Sequence, residues 1–171
     1  MGLIYKSKNV TIAERDLVKR LTKQCLKEIV KSKWEITGPR SEKLTVAKVW
    51  DKLYLKVKCR GQSSSGGKNY MCIDVSQYRK GRTFQHEYAR IKNDPIIGEG
   101  TFATPEDALM LIVAHEVAHL IHYNYFIHTR WLRDGDNTPH GKNWQKIYRI
   151  LRREIVNKNM VRDVDPEKKV A

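Results

Sequence analysis

Two histidines four residues apart, His115 and His119, enclose Glu116 in the pattern H-E-x-x-H within a chain of 171 residues. On a helix, positions i and i+4 share a face one turn apart. Both imidazoles then reach a single divalent cation at about 2.0–2.1 Å. Glu116 is rotated off that pair yet stays beside the open coordination position, where a carboxylate can take a proton from water. The chemistry such a set supports is metal-assisted hydrolysis.

A catalytic zinc site uses three protein ligands, so a third donor is needed. His122 lies seven residues beyond His115, about 10.5 Å along a helix axis, too far for one ion to hold both. A metzincin pattern would require histidine at 125, where this chain has Tyr125, and glycine where it has His122. Asp134 or Asp136 would suit an aspartate-ligand site and Glu154 a glutamate-ligand one, while His128 has no supporting context. His140 is the better choice. It follows Pro139 and precedes Gly141 where a new helix begins, so the chain can return toward the first pair with one imidazole fixed. Trp144, one turn on, reads as core packing.

The elements that must position these groups follow from periodicity. Residues 11–33 read as an amphipathic helix capped by Thr11, with Leu17, Val18, Leu21, Cys25, Leu26, Ile29 and Val30 on one stripe. Its other face carries Lys19, Arg20, Lys23, Lys27 and Lys31. From Leu44 the period changes to two, predicting a hairpin of strands 44–50 and 53–57 about an Asp51-Lys52 turn. Residues 61–69 read as a flexible loop, Tyr70–Val75 as a third strand and 84–91 as a fourth, available for edge pairing. Thr104-Pro105-Glu106-Asp107 is a strong helix start, and that helix runs to about 124. A last helix over about 141–157 buries Trp144, Ile147, Ile150 or Leu151, and Ile155. It exposes Lys142, Lys146, Arg149, Arg152, Arg153 and Lys158.

Composition bounds the rest. A length of 171 residues with 40% hydrophobic content suits one domain with a real core, about 11–158, and a polar tail at about 159–171. Three cysteines, none in a C-x-x-C pair, argue against a disulfide framework or a Cys-rich zinc ribbon. No secretory h-region and no apolar run of membrane-spanning length is found, so the expected compartment is the cytoplasm. A net charge of +14 favours a polyanionic partner, DNA first. The basic positions expected to touch it are Lys142, Lys146, Arg149, Arg152 and Arg153.

His115-Glu116-x-x-His119 followed by His140-Gly141-x-x-Trp144 resembles the SprT-like metallopeptidases, the group that includes Spartan, and LMLIVAHEVAHLIHY looks like their active-site helix. The resemblance covers roughly residues 104–157. It implies a zincin-like α+β single domain, one Zn²⁺ held by His115, His119 and His140, Glu116 as general base, and hydrolysis of DNA-associated proteins, including those crosslinked to DNA. The chain departs from many relatives in having no Cys-rich ribbon, and its gap between His119 and His140 is longer than in the eukaryotic branch. A small bacterial or bacteriophage protein would fit. The reading from a different class is a nucleic-acid-binding or anti-restriction protein whose zinc is structural.

Overall fold

Hydrophobicity on every face marks the helix that organises this molecule. Helix α4 (Pro105–Ile121) buries thirteen of its seventeen residues, from Ala108 to Ile121 with Ile112 half-exposed. A helix apolar all round must be covered on all sides, and the fold is the arrangement that covers it. The computed structural model describes residues 3–5, 9–33, 35, 44–126 and 138–161.

Helix α1 (Ile12–Lys31) packs on α4 through the predicted stripe: Leu17, Val18, Leu21, Cys25, Leu26 and Ile29 are buried. Its start is doubly capped. The Thr11 hydroxyl accepts from Glu14 N at 3.1 Å, and Glu14 Oε2 accepts from Thr11 N at 2.8 Å. Arg79 then donates to both carboxylate oxygens of Glu14, from Nε at 2.8 Å and from an Nη at 2.7 Å. The three cysteines are all free, and Cys25 Sγ lies 3.6 Å from Met110 Sδ inside the α1–α4 contact.

The predicted hairpin at 44–57 is replaced by a helix and a strand, α2 (Val46–Lys52) and β2 (Tyr54–Lys58). Thr45 accepts a hydrogen bond from Lys48 N at 3.2 Å and so caps α2, which turns Val49 inward. Asp51-Lys52 is therefore the last turn of a helix. Strands β1 (Leu3–Tyr5), β2, β3 (Ser65–Gly67) and β4 (Tyr70–Asp74) form one sheet in the order β1-β2-β4-β3. The first three of that order are parallel and β3 is antiparallel to β4. The expected loop at 61–69 thus contains an edge strand. A short helix, α3 (Ser76–Arg79), follows β4.

The second sheet is antiparallel, β5 (Phe84–Gln85), β6 (Gly100–Phe102) and β7 (Met160–Val161). The fourth predicted strand shrinks to β5, because residues 89–94 turn and Asp94 Oδ1 accepts from the Ile96 and Ile97 N–H groups. Three of the five strand pairings among the described residues are antiparallel, in a small α+β domain. After α4 a single π turn covers His122–Phe126. Helix α5 (Lys142–Glu154) then packs on α4 with Trp144, Ile147, Ile150 and Leu151 buried. A 3-10 turn (Val156–Asn159) leads into β7. None of the described helices is long and apolar enough to cross a membrane.

Glu14 ties the cap of α1 to Arg79, whose guanidinium beside it holds its carboxyl below the usual carboxylate range. The sign follows: that stabilisation is complete above the unfolded-state pKa and disappears as pH falls through the lowered folded value. Glu14→Gln is expected to destabilise the chain by about 1–2 kcal/mol at pH 7. Urea denaturation should show the gap from wild type narrowing steadily below pH 4.5.

Candidate metal centre

Thr104 caps α4 by accepting from Asp107 N at 3.2 Å, with Pro105 at the first helical position. The helix is therefore regular where it carries His115, Glu116 and His119, all three 6–7% exposed. His140 enters from the turn 138–141, closed by Gly141 N donating to Thr138 O at 2.8 Å. Its φ of 65° is left-handed, a conformation that non-glycine residues adopt rarely and that clusters at functional sites. Gln145 Nε2 donates to His140 O at 2.9 Å and fastens the turn to α5.

These elements bring three nitrogens together. His140 Nε2 lies 3.0 Å from His115 Nε2 and 3.0 Å from His119 Nε2. Ligands about 2.0–2.1 Å from a tetrahedral zinc ion sit about 3.3 Å apart, so the spacing suits one ion shared by three imidazoles. His115, His119 and His140 form the one such cluster of potential metal ligands among the described residues. Protonation favours the same use. Burial, and then the neighbouring imidazoles, push His119 down to about 2 and His140 to about 4, so both rings are neutral at pH 7 with lone pairs to donate.

Glu87 is a functional residue that the sequence reading passed over. Its side chain is 2% exposed, and its Oε2 lies 3.3 Å from His115 Nδ1. Tyr148 donates its hydroxyl hydrogen to Glu87 Oε1, and Arg152, itself 1% exposed, stands 3.8 Å from the same oxygen. A carboxylate on Nδ1 keeps the proton there and turns the Nε2 lone pair of His115 toward the cluster. The alternation over 84–88 was the available signal: positions 84, 86 and 88 are exposed, while Gln85 and the Glu87 side chain point inward. Tyr88 covers the outer side of the cluster, its ring centroid 3.8 Å from that of His140 and 5.5 Å from that of His115. Trp144 lies 4.7–5.1 Å from all three imidazoles and forms the inner wall.

Glu116 faces the edge strand β3. A Cβ built on Gly66 would stand 2.5 Å from Glu116 O and 3.1 Å from Glu116 Oε2, so only glycine lets β3 lie this close to the helix. Burial pushes the Glu116 carboxyl up to about 7, with Glu87 adding to the effect and His115 opposing it. The charge of a bound dication would act in the opposite direction.

The other predicted positions separate clearly. His122 is fully buried but outside the cluster, and Glu154 pairs with Arg153 at 2.6 Å, which removes both from the ligand set. His128, Asp134 and Asp136 lie outside the described residues. The expected basic face of α5 is corrected at Arg152, which is buried; Arg149 is half-buried and Arg153 is exposed as expected, each with an ion pair. Arg152 is buried against Glu87 and Asn157, Arg149 binds Asp94 at 2.6 Å, and Arg153 binds Glu154. Of the five, Lys142 and Lys146 are exposed and form no ion pair among the described residues. A different basic run is open: Lys80, Arg82, Arg90 and Lys92 are exposed and form no ion pair among the described residues. Between them Phe84, His86 and Tyr88 are exposed as well, Phe84 and His86 in edge contact at 4.7 Å.

No family model, curated protein or solved structure matches this chain.

Zinc titration with a competing chelator tests the cluster. His140→Ala should weaken binding most, and Glu87→Gln by about 10–100-fold, as expected of a group that orients a ligand. His122→Ala should leave the affinity unchanged. A His122 effect larger than that of His140 would relocate the third ligand.

Proposed function

We propose that this chain is a zinc-dependent metallopeptidase of the SprT-like kind, acting on DNA-associated proteins. The observation that carries the reading is the meeting of three Nε2 atoms with the Glu116 carboxyl beside them, at the mouth of an open cleft. Neutral imidazoles fit a divalent ion, and three of them leave a tetrahedral position free. Zinc bound there would supply Lewis-acid polarisation of the scissile carbonyl and acidify water.

The rest of the work falls to the protein's own side chains. Glu116 accepts a proton as the water oxygen bonds to the carbonyl carbon, then delivers it to the leaving nitrogen as the C–N bond breaks. A buried carboxyl whose proton affinity is raised suits both halves of that exchange. Glu87 holds His115 in one tautomer, and Trp144 and Tyr88 keep the imidazoles from turning. Tyr148 donates its hydroxyl hydrogen to Glu87 and so does not serve as an oxyanion donor. Strand β3 has no strand partner on its outer edge among the described residues and runs past Glu116, a placement that suits an extended peptide backbone.

The association with DNA is supported by the net charge of +14 and by the exposed run from Lys80 to Lys92. Aromatic rings interleaved with unpaired cations suit single strands, whose bases can stack while the phosphates are neutralised. Within that run Tyr88 lies against His115 and His140, so bound DNA would hold a protein substrate near the cluster. A structural zinc site gives no role to a carboxyl at the fourth position, and Glu116 therefore separates the two readings.

Two experiments follow. Glu116→Gln should retain about one zinc per chain and the fold, yet cleave a DNA-bound protein about 10²–10⁴-fold more slowly. Undiminished cleavage would remove Glu116 from the chemistry. For DNA, Lys80→Glu with Arg82→Glu should weaken binding of a single-stranded oligonucleotide and lower its salt slope by roughly 1.4. Lys142→Glu with Lys146→Glu should do less in the same anisotropy titrations, and the reverse order would return the contact to α5.

A further inference from the structure

The cleft at Glu116 opens into a cavity of about 410 Å³ whose chemistry runs against that of the whole molecule. In a chain with 33 Lys and Arg, neither residue type contributes to its lining. Leu111 and Ile112, one turn before His115, supply apolar wall, and Gln62, Ser63, Asp74 and Gln77 supply polar wall.

Two of those polar groups, Asp74 and Gln77, present acceptors there. The Asp74 carboxylate takes hydrogen bonds from the N–H groups of Arg60, Gln62 and Ser76 at 2.9–3.2 Å. Burial tends to raise its pKa, but the bonds from Ser76, Arg60 and Gln62 outweigh it, and the carboxyl stays ionised. Gln77 Oε1 is buried and has no hydrogen-bond partner. A buried acceptor left unfilled is unfavourable and is satisfied when a donor arrives. Lys58, outside the lining, donates to Gln62 Oε1 at 3.3 Å.

An apolar stem carrying several N–H donors at its end matches this wall. We propose that the cavity seats a lysine or arginine side chain of the substrate, next to the scissile bond. The inference rests on the metallopeptidase reading and adds its specificity. An acidic side chain would meet the Asp74 carboxylate with like charge. A purely apolar one would leave Gln77 Oε1 without a donor. Proteins that accumulate on a polyanion are themselves rich in lysine and arginine, so the selectivity suits the setting proposed above.

The test uses the zinc-loaded full chain and peptides identical except for one residue, placed in turn on each side of the cleaved bond: Lys, Arg, norleucine, Gln or Glu. On one side, Lys or Arg should raise kcat/KM over norleucine roughly tenfold or more, with Glu the poorest. Ser63→Lys, which sets a fixed ammonium on the cavity wall, should reduce the Lys-to-norleucine ratio roughly tenfold and raise the relative rate for Glu. Gln77→Leu should narrow the Lys preference. Calorimetry with lysine hydroxamate and norleucine hydroxamate reads the same preference as binding, without turnover. Cleavage that favours norleucine or Glu, or is indifferent among the series, overturns this inference and leaves the hydrolase standing. If no peptide is cleaved and neither hydroxamate binds, the hydrolase reading falls and this inference falls with it.

Discussion

Desolvation around α4 is the constraint on which the molecule turns. A helix buried on every face holds His115, Glu116 and His119 away from water, and each ionisable group there is unfavourable unless something compensates. The first response is in proton affinity: burial lowers that of the His119 and His140 imidazoles and raises that of the Glu116 carboxyl. His119 and His140 are left neutral with lone pairs to donate. A dication entering such a set would displace no proton from those two rings.

The second response is a buried counter-network on the far side of His115. Glu87 would be an isolated charge in the core without Arg152 and the Tyr148 hydroxyl. Arg152 would be one without Glu87 and Asn157, which accepts from its Nε at 2.7 Å. Removing any one member strands the others, so the network resists change as a unit. It also links the segment that follows β5 to α5 beside His115 Nδ1, so the surroundings of that ring are set from outside its own helix.

How much of this was legible depended on whether the signal was local. Helix α1 announced itself because Thr11 and Glu14 form a cap and the apolar stripe from Leu17 to Val30 lasts about four turns. The H-E-x-x-H turn and Pro139-His140-Gly141 were legible for the same reason, since residue type and spacing fix the geometry at hand. Helix α2 was read as a strand because Leu44, Val46 and Trp50 also fit period two, and seven residues are too few to separate the periods. Strand β3 left no side-chain pattern, being Ser-Gly-Gly, and its glycine matters for what it permits across the fold. Arg152 and Glu87 were placed or passed over on the ordinary expectation that charges face water. Each is buried because of the other, a fact held in tertiary structure alone.

The turn that delivers His140 has a thermodynamic corollary. His119 and His140 are separated by 21 positions along the chain, and His140 sits in a backbone conformation that other residues avoid. An ion held by both rings would be a removable staple across that interval, restricting the unfolded chain by loop closure. Occupancy would then add to the folding free energy by mass action, about 2.7 kcal/mol when free ion stands at a hundred times its dissociation constant. The melting temperature of such a molecule would report the metal supply of its surroundings.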